Sequence, residues 1–250
     1  MAVIIYAGAV RPEGGGPFYE AWRLLRASNI PIVFNGVGDP VGSGLVSSIN
    51  RPGGNITGIM PLNTLMGKFM GLLHETVPDA KTIAVLVNNP QTLQSNNPQT
   101  LQSYNDEARK SAATLGVQLL FLPAGSEGEI DTAFAAMNQQ RAEALVVTTS
   151  PFFVTRAKRI ASLADRYRVP AIYARREFAK AGGLMSYGYD VADGYRLLGG
   201  YAGRILNGAK AGELPLFQPT KFELVISQVR KSLPLRVCQV SMITQGVNRR

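Results

Sequence analysis

Short apolar runs alternate with helix-length amphipathic segments along most of this chain, and that alternation limits the folds open to it. Ile83-Ala84-Val85-Leu86-Val87 is an unbroken buried-strand run. A helical segment at Tyr104–Leu115 follows, then a strand at Gln118–Leu122, a helix at Gly128–Gln139 and a strand at Ala144–Thr148. Thr155–Tyr167 reads as helix and Ala171–Tyr173 as strand. Strands separated by helices of this length are joined as parallel βαβ units.

The earlier part of the chain follows the same grammar. A β-branched run at residues 3–7 predicts a strand, and Phe18–Ser28 a helix with Trp22, Leu24 and Leu25 facing inward. Residues 31–35 predict a strand, 41–49 a short helix, and Ile56–Met60 an extended piece. Thr64–Val77 carries Leu65, Phe69, Leu72 and Leu73 on one helical stripe. Near the end come Leu184–Tyr187, a helix at Ala192–Leu206 closed by Asn207-Gly208, and a strand at Phe222–Ile226.

Three strand ends share one pattern of strand, polar residue, proline, helix: Gly38-Asp39-Pro40, Asn88-Asn89-Pro90 and Thr149-Ser150-Pro151. Asp, Asn and Ser cap orphan N–H groups, and proline fits the first helical position because its missing N–H had no partner there. Capping alone accounts for each motif. Their repetition adds a functional reading, since loops at the carboxyl edge of a parallel sheet are where open α/β folds hold ligands. Asp39, Asn89 and Ser150 are candidate ligand contacts on that ground. Helix N-termini there suit a carboxylate, and Asp39 suits an ammonium.

Tyr173 and Arg176 follow a short strand, with a role in stacking on an aromatic solute and clamping a carboxylate. A solvated Arg–Glu pair is the plainer alternative. Ser186, Tyr187 and Asp190 sit where the chain is expected to recross between lobes, close to a hinge.

Enzyme motifs do not fit. Gly36-Val37-Gly38-Asp39-Pro40-Val41-Gly42 is one residue too long for a dinucleotide loop and carries a foreign proline. Gly67-Lys68 precedes Phe69, so it is no P-loop. His74 is the one histidine, in mid-helix and expected to be half-buried or solvated. No cofactor or metal is expected.

The net charge is +9. Five basic residues and no acidic one lie between Gln228 and Arg250, so more than half of the excess sits in a basic tail. That distribution argues against nucleic acid as a partner. Cys238 is the only cysteine, which excludes an intrachain disulfide. No run approaches the roughly 18 apolar residues of a membrane span, and Met1–Gly8 lacks the basic start of a secretory signal. Asn88–Ser95 is repeated verbatim as Asn96–Ser103, too short a period for a solenoid, and reads as a local duplication that lengthens a strand-to-helix loop.

Several segments, in order, resemble one family: Ile30–Ile59, Pro170–Tyr173 with Arg176-Glu177-Phe178, Ala181–Gly188, Gly203–Lys210, and Leu214-Pro215 with Gln218–Ile226. The chain is similar to the substrate-binding proteins of bacterial ABC transporters, in the subgroup with tryptophan and other aromatic amino-acid receptors. The resemblance implies an α/β, type I periplasmic-binding-protein-like fold of two Rossmann-like parallel-sheet lobes joined by three crossovers. It implies a small amino-acid-like solute held in the cleft between the lobes, without catalysis, an ABC permease as partner, and a periplasmic location. Family members begin with an export signal and a full first βαβ portion, so the first lobe is expected to be incomplete here. The expected division is a partial lobe one at 1–78, lobe two at 79–185, a return to lobe one at 186–226, and the basic tail at 227–250. The same fold also serves cytoplasmic ligand sensors, which add a DNA-binding domain.

Overall fold

A computed structural model of the chain describes residues 4–7, 28–35, 40–42, 44–60, 65–88 and 98–227. The predicted helix at Phe18–Ser28 therefore lies almost wholly outside the described residues. Two compact units emerge, one built from 1–63, 95–102 and 189–222, the other from 64–94, 103–188 and 223–250.

The first unit holds a parallel three-stranded sheet of β1 (Ile4–Ala7), β2 (Ile32–Asn35) and β3 (Ile56–Ile59), in that order. Side chains on β2 alternate between its faces. Ile32 and Phe34 pack with Val46, Ile56 and Leu216. Val33 packs on the opposite face with Ile59, Leu198, Ile205 and Leu214. The free edge of β3 is met by the segment around Phe217, through Phe217 N–H to Gly58 O at 2.9 Å and Met60 N–H to Phe217 O at 2.9 Å. The Thr57 hydroxyl donates to Leu214 O at 2.8 Å beneath it.

The short helix predicted at 41–49 does not form; the described residues there are turns and bends. Gly42 and Gly44 weaken a helix by about 1 kcal/mol each, and Gly44 adopts φ +66°, which ends helical geometry. Ser48 then ties its own loop by bonding the N–H and the carbonyl of Arg51, each at 3.0 Å.

The second unit begins with α1 (Met66–Thr76), followed by β4 (Thr82–Val87), α2 (Pro98–Leu115) from residue 103 onward, β5 (Gln118–Pro123) and α3 (Glu127–Gln139). It continues through β6 (Ala144–Val147), α4 (Pro151–Thr155), α5 (Ala157–Arg166), β7 (Ala171–Tyr173), α6 (Arg176–Lys180) and β8 (Met185–Tyr189). The long helix α7 (Val191–Leu206) belongs to the first unit, and β9 (Phe222–Ile226) closes the second sheet. The strand order is β5-β4-β6-β7-β8-β9, with β4 to β8 parallel.

Both faces of this sheet are covered, which explains why β4 reads as a continuous apolar run. Ala84 and Leu86 pack with Phe134, Leu145, Ile160 and Tyr173. Ile83, Val85 and Val87 pack with Phe69, Leu73, Ala108 and Ile172. The sequence boundary at 78 puts the 66–76 helix in lobe one. Its apolar stripe instead packs on β6 and β7 of the second unit. The return to the first unit likewise spans 189–222 rather than 186–226, because β8 and β9 are strands of the second sheet.

The duplicated octapeptide shifts a helix start. α2 begins at Pro98, the proline of the second copy. A helix therefore follows the proline eight residues later than the first copy alone would place it.

Candidate functional site

In a parallel sheet the carboxyl ends of all strands open on one edge, and loops there carry ligand chemistry. In the second unit the register sets Leu86, Val147, Tyr173 and Ser186 level across four strands. Asn88, Thr148 to Ser150, Ala174 to Arg176 and Tyr187 lie at or beyond that line.

Ser150 is buried, and its hydroxyl accepts the Phe152 N–H at 3.1 Å, with Pro151 at the first helical position. The strand–polar–proline–helix reading therefore holds at this loop, in its capping sense. Thr148 donates its hydroxyl to Leu86 O at 2.9 Å, which leaves β6 and β4 joined one residue past the ladder. Asp39 and Asn89 lie outside the described residues.

Tyr173 differs from the expectation of a stacking surface for solute. It is fully buried and stacks on Phe178, with ring centroids 4.5 Å apart and planes 10° from parallel. A Cβ at Gly183 would stand 2.6 Å from Tyr173 Cε2, so the other chain segment passes against the same ring. The cause is α6, a helical turn that the sequence pattern does not reveal, which folds Phe178 back over β7.

Arg176 pairs with Glu223 at 3.3 Å, and Arg175 donates to Glu177 at 2.9 and 3.3 Å. The plainer Arg–Glu alternative describes both arginines. Burial pushes the Glu177 carboxyl up, but the Arg175 bond, the backbone N–H and the nearby Arg175 and Lys180 charges outweigh it and hold it below its ordinary value. Ser186 is buried in the sheet, level with Tyr173. Tyr187 is half-buried and meets Phe69 edge-on at 6.5 Å, and burial raises its phenol above the usual value.

Asp190 belongs to the first unit. It is the N-cap of α7, its carboxylate accepting from Ala192 N–H at 2.8 Å and Asp193 N–H at 3.4 Å. The site candidates thus divide: Ser150, Arg176 and Tyr187 gather along one sheet edge, Tyr173 and Ser186 sit in the sheet interior, and Asp190 caps a helix of the other unit.

Two polar residues at strand ends were not among the candidate contacts, although Asn88 belongs to the Asn88-Asn89-Pro90 motif. Asn88, one residue past β4, has its Oδ1 buried with no hydrogen-bond partner among the described residues. Asn35, the last residue of β2, is 7% exposed and receives the Tyr189 hydroxyl at 3.5 Å. Each is the first polar residue after an apolar strand run, the signal by which it could have been found. His74 is half-buried as expected, and its Nδ1 is also without a partner among the described residues.

An open groove of about 430 Å³ is lined by Asp131, Arg159, Ser162, Leu163, Arg166 and Tyr167. It lies between α3 and α5, no strand end reaches it, and Arg159 is already bound to Asp131 at 2.6 Å. We do not place the site there. Among the described residues no cluster of His, Cys, Asp and Glu could hold a metal, and no helix is long and apolar enough to cross a membrane.

Comparison with known proteins agrees with this architecture. The chain is 26% identical over 204 residues to a tyrosine-binding protein of Clostridioides difficile (strain R20291). That match covers 80% of this chain, which spans only 55% of the relative's length. In structure it is similar to a conserved domain protein from Vibrio cholerae, with a TM-score of 0.71 and 24% identity, and to an ABC domain in complex with L-Trp from Streptococcus pneumonia, with a TM-score of 0.70 and 21% identity. Both matches cover 90% of this chain and 70% of the other. These likenesses show the type I periplasmic-binding-protein-like fold. The family model described as ABC transporter substrate binding protein matches residues 19–233, most of the sequence, and the chain belongs to that family.

Proposed function

We propose that this chain captures a small amino-acid-like solute outside the cytoplasm and presents it to the permease of an ABC importer, with no chemical turnover. Family membership supports the solute-binding role. A tyrosine-binding relative and a fold neighbour in complex with L-Trp support an amino acid, aromatic by preference.

The observation that carries the reading in the geometry is Asn88. A buried acceptor left unsatisfied costs about 1–3 kcal/mol. Such a group persists at the carboxyl edge of a parallel sheet when it serves an arriving donor, and the ammonium of an amino acid is one. Ser150, Arg176 and Tyr187 border the same edge and are proposed to help shape the site. Asp39 and Asn89 are proposed contacts on sequence grounds alone.

The test is thermal denaturation against a panel of the amino acids and related aromatic acids. A ligand that binds only the folded state stabilises it by about 2.7 kcal/mol at one hundred times its dissociation constant, growing with the logarithm of concentration. A concentration-dependent rise in melting temperature with one or a few members is expected. A panel that leaves the melting temperature unmoved would sink the proposal.

A further inference from the structure

We propose that Arg175 is the residue of the solute site that sets specificity for a carboxylate, through the unused edge of its guanidinium. The proposal rests on the solute-binding reading above and deepens it.

Arg175 lies in the second unit, past the carboxyl end of β7. Leu86 of β4, Val147 of β6 and Tyr173 of β7 stand level in the sheet. Asn88 and Arg175 each come two residues beyond that line, after the two strands that flank β6. Neighbouring strands lie about 4.8 Å apart, so the two backbones leave the sheet about 10 Å from each other. Thr149, likewise two residues beyond the line, follows β6 between them and is exposed.

A guanidinium presents five N–H donors in a planar fork. Glu177 takes one edge of it, accepting from Nε at 3.3 Å and from Nη2 at 2.9 Å. That ion pair fixes the plane of the fork. The end formed by Nη1 and the second Nη2 hydrogen has no acceptor among the described residues. The Arg175 side chain is only 21% exposed, so little water reaches these donors. Arg176 is 42% exposed and its Nη1 pairs with Glu223, as a solvated ion pair does. Two parallel N–H groups match the two oxygens of a carboxylate, and such bidentate pairs are among the strongest hydrogen bonds.

The neighbouring positive groups along this edge are already engaged. The Gly125 and Ser126 N–H groups before α3 donate to Glu129. Ser150 caps the single turn of α4. Arg156 gives its Nε to Glu127 at 3.1 Å and its Nη1 to the Thr155 hydroxyl at 2.9 Å. An amino acid carries its ammonium and its carboxylate on one carbon. The buried Asn88 Oδ1 suits the ammonium, and the Arg175 fork the carboxylate. Acceptor and donor residues at one level, two strands apart, give the amino acid one direction along the sheet edge.

The experiment is calorimetric titration of the full chain with L-tyrosine, L-tryptophan, tyramine and tryptamine, for the wild type, Arg175→Gln and Arg175→Lys. The two amines lack the carboxylate and otherwise match the amino acids. The wild type is expected to prefer each amino acid to its amine. Arg175→Gln is expected to lose tenfold or more in affinity for the amino acids and none for the amines. Arg175→Lys keeps a cation beside Glu177 and so guards the fold, but it lacks the fork, and the same selective loss is expected at smaller size. If both variants keep the wild-type preference for amino acid over amine, the assignment of Arg175 falls and solute binding stands. An equal loss for amino acid and amine, or a wild type that binds both alike, overturns the assignment in the same way. Failure of the wild type to bind either amino acid overturns the solute-binding reading and this assignment together.

Discussion

The Tyr173 ring lies flat on Phe178 inside the core of the second unit, 4.5 Å between centroids. Stacked aromatic pairs add about 0.5–1.5 kcal/mol beyond their burial. A residue placed this way contributes to folding and offers no free ring face to a solute. Truncation of either ring to alanine is expected to cost about 3–5 kcal/mol, read as a lower denaturation midpoint. Tyr173→Phe is expected to leave the affinity for any solute unchanged. A selective loss of affinity in that variant, with stability intact, would return Tyr173 to the binding site.

Asp190 and Ser150 each cap a helix. Replacement of either by alanine is expected to cost about 1 kcal/mol, within a range of about 0.5–2. Urea denaturation of the two variants gives the values directly. An unchanged midpoint for Asp190→Ala would mean that the carboxylate is not held by the Ala192 and Asp193 N–H groups.

Glu107 on α2 accepts the Gly67 N–H of α1 at 3.4 Å. Burial raises its carboxyl above the ordinary value of 4.5, with the Gly67 bond opposing. The folded chain therefore holds this proton more tightly than the unfolded chain, so this group's share of stability is present at low pH and declines as pH rises through the raised value. Glu107→Gln keeps the acceptor and removes the charge. Its melting temperature is expected to match wild type near pH 4 and exceed it at pH 7. Glu177, held low, works in the other direction: its contribution is present above the unfolded value and fades as the solution is acidified through the folded one. Glu177→Gln is therefore expected to lose stability at pH 7 and to converge on wild type in acid.

The repeated octapeptide separates β4 from a helix that starts at the second copy's proline. Removal of one copy leaves Asn-Asn-Pro directly after Val87. The connection shrinks from ten residues to two, and each halving of a loop recovers on the order of 0.6 kcal/mol of closure entropy. The deletion variant is expected to fold with unchanged or slightly higher stability, measured by chemical denaturation. A large loss would show that the longer loop makes contacts the fold needs.

The sequence was most legible where period and burial act together. Ile83–Val87, Ala144–Val147 and Ala171–Tyr173 are strands because β-branched and apolar residues pack on both faces of a parallel sheet. Legibility failed where local signals compete. Val41–Ile49 has a helical spacing of apolar residues, but Gly42, Gly44 and Ser48 favour turns. Tyr173 looked exposed because nothing in its own strand shows that Phe178 folds back on it. The 66–76 helix has a clear stripe, yet a stripe does not say which sheet it covers. Asn35 and Asn88 were hidden as ordinary turn residues, since only three dimensions show that Asn35 and the Oδ1 of Asn88 are buried.

Under the function proposed above, the chain binds an amino-acid-like solute and returns it unaltered. Equilibrium titration with L-tyrosine and L-tryptophan, followed by mass analysis of the recovered solute, tests it most directly. Saturable single-site heat with at least one of them and full recovery of unchanged amino acid are expected. Flat titrations with both, or recovery of a converted product, would contradict it.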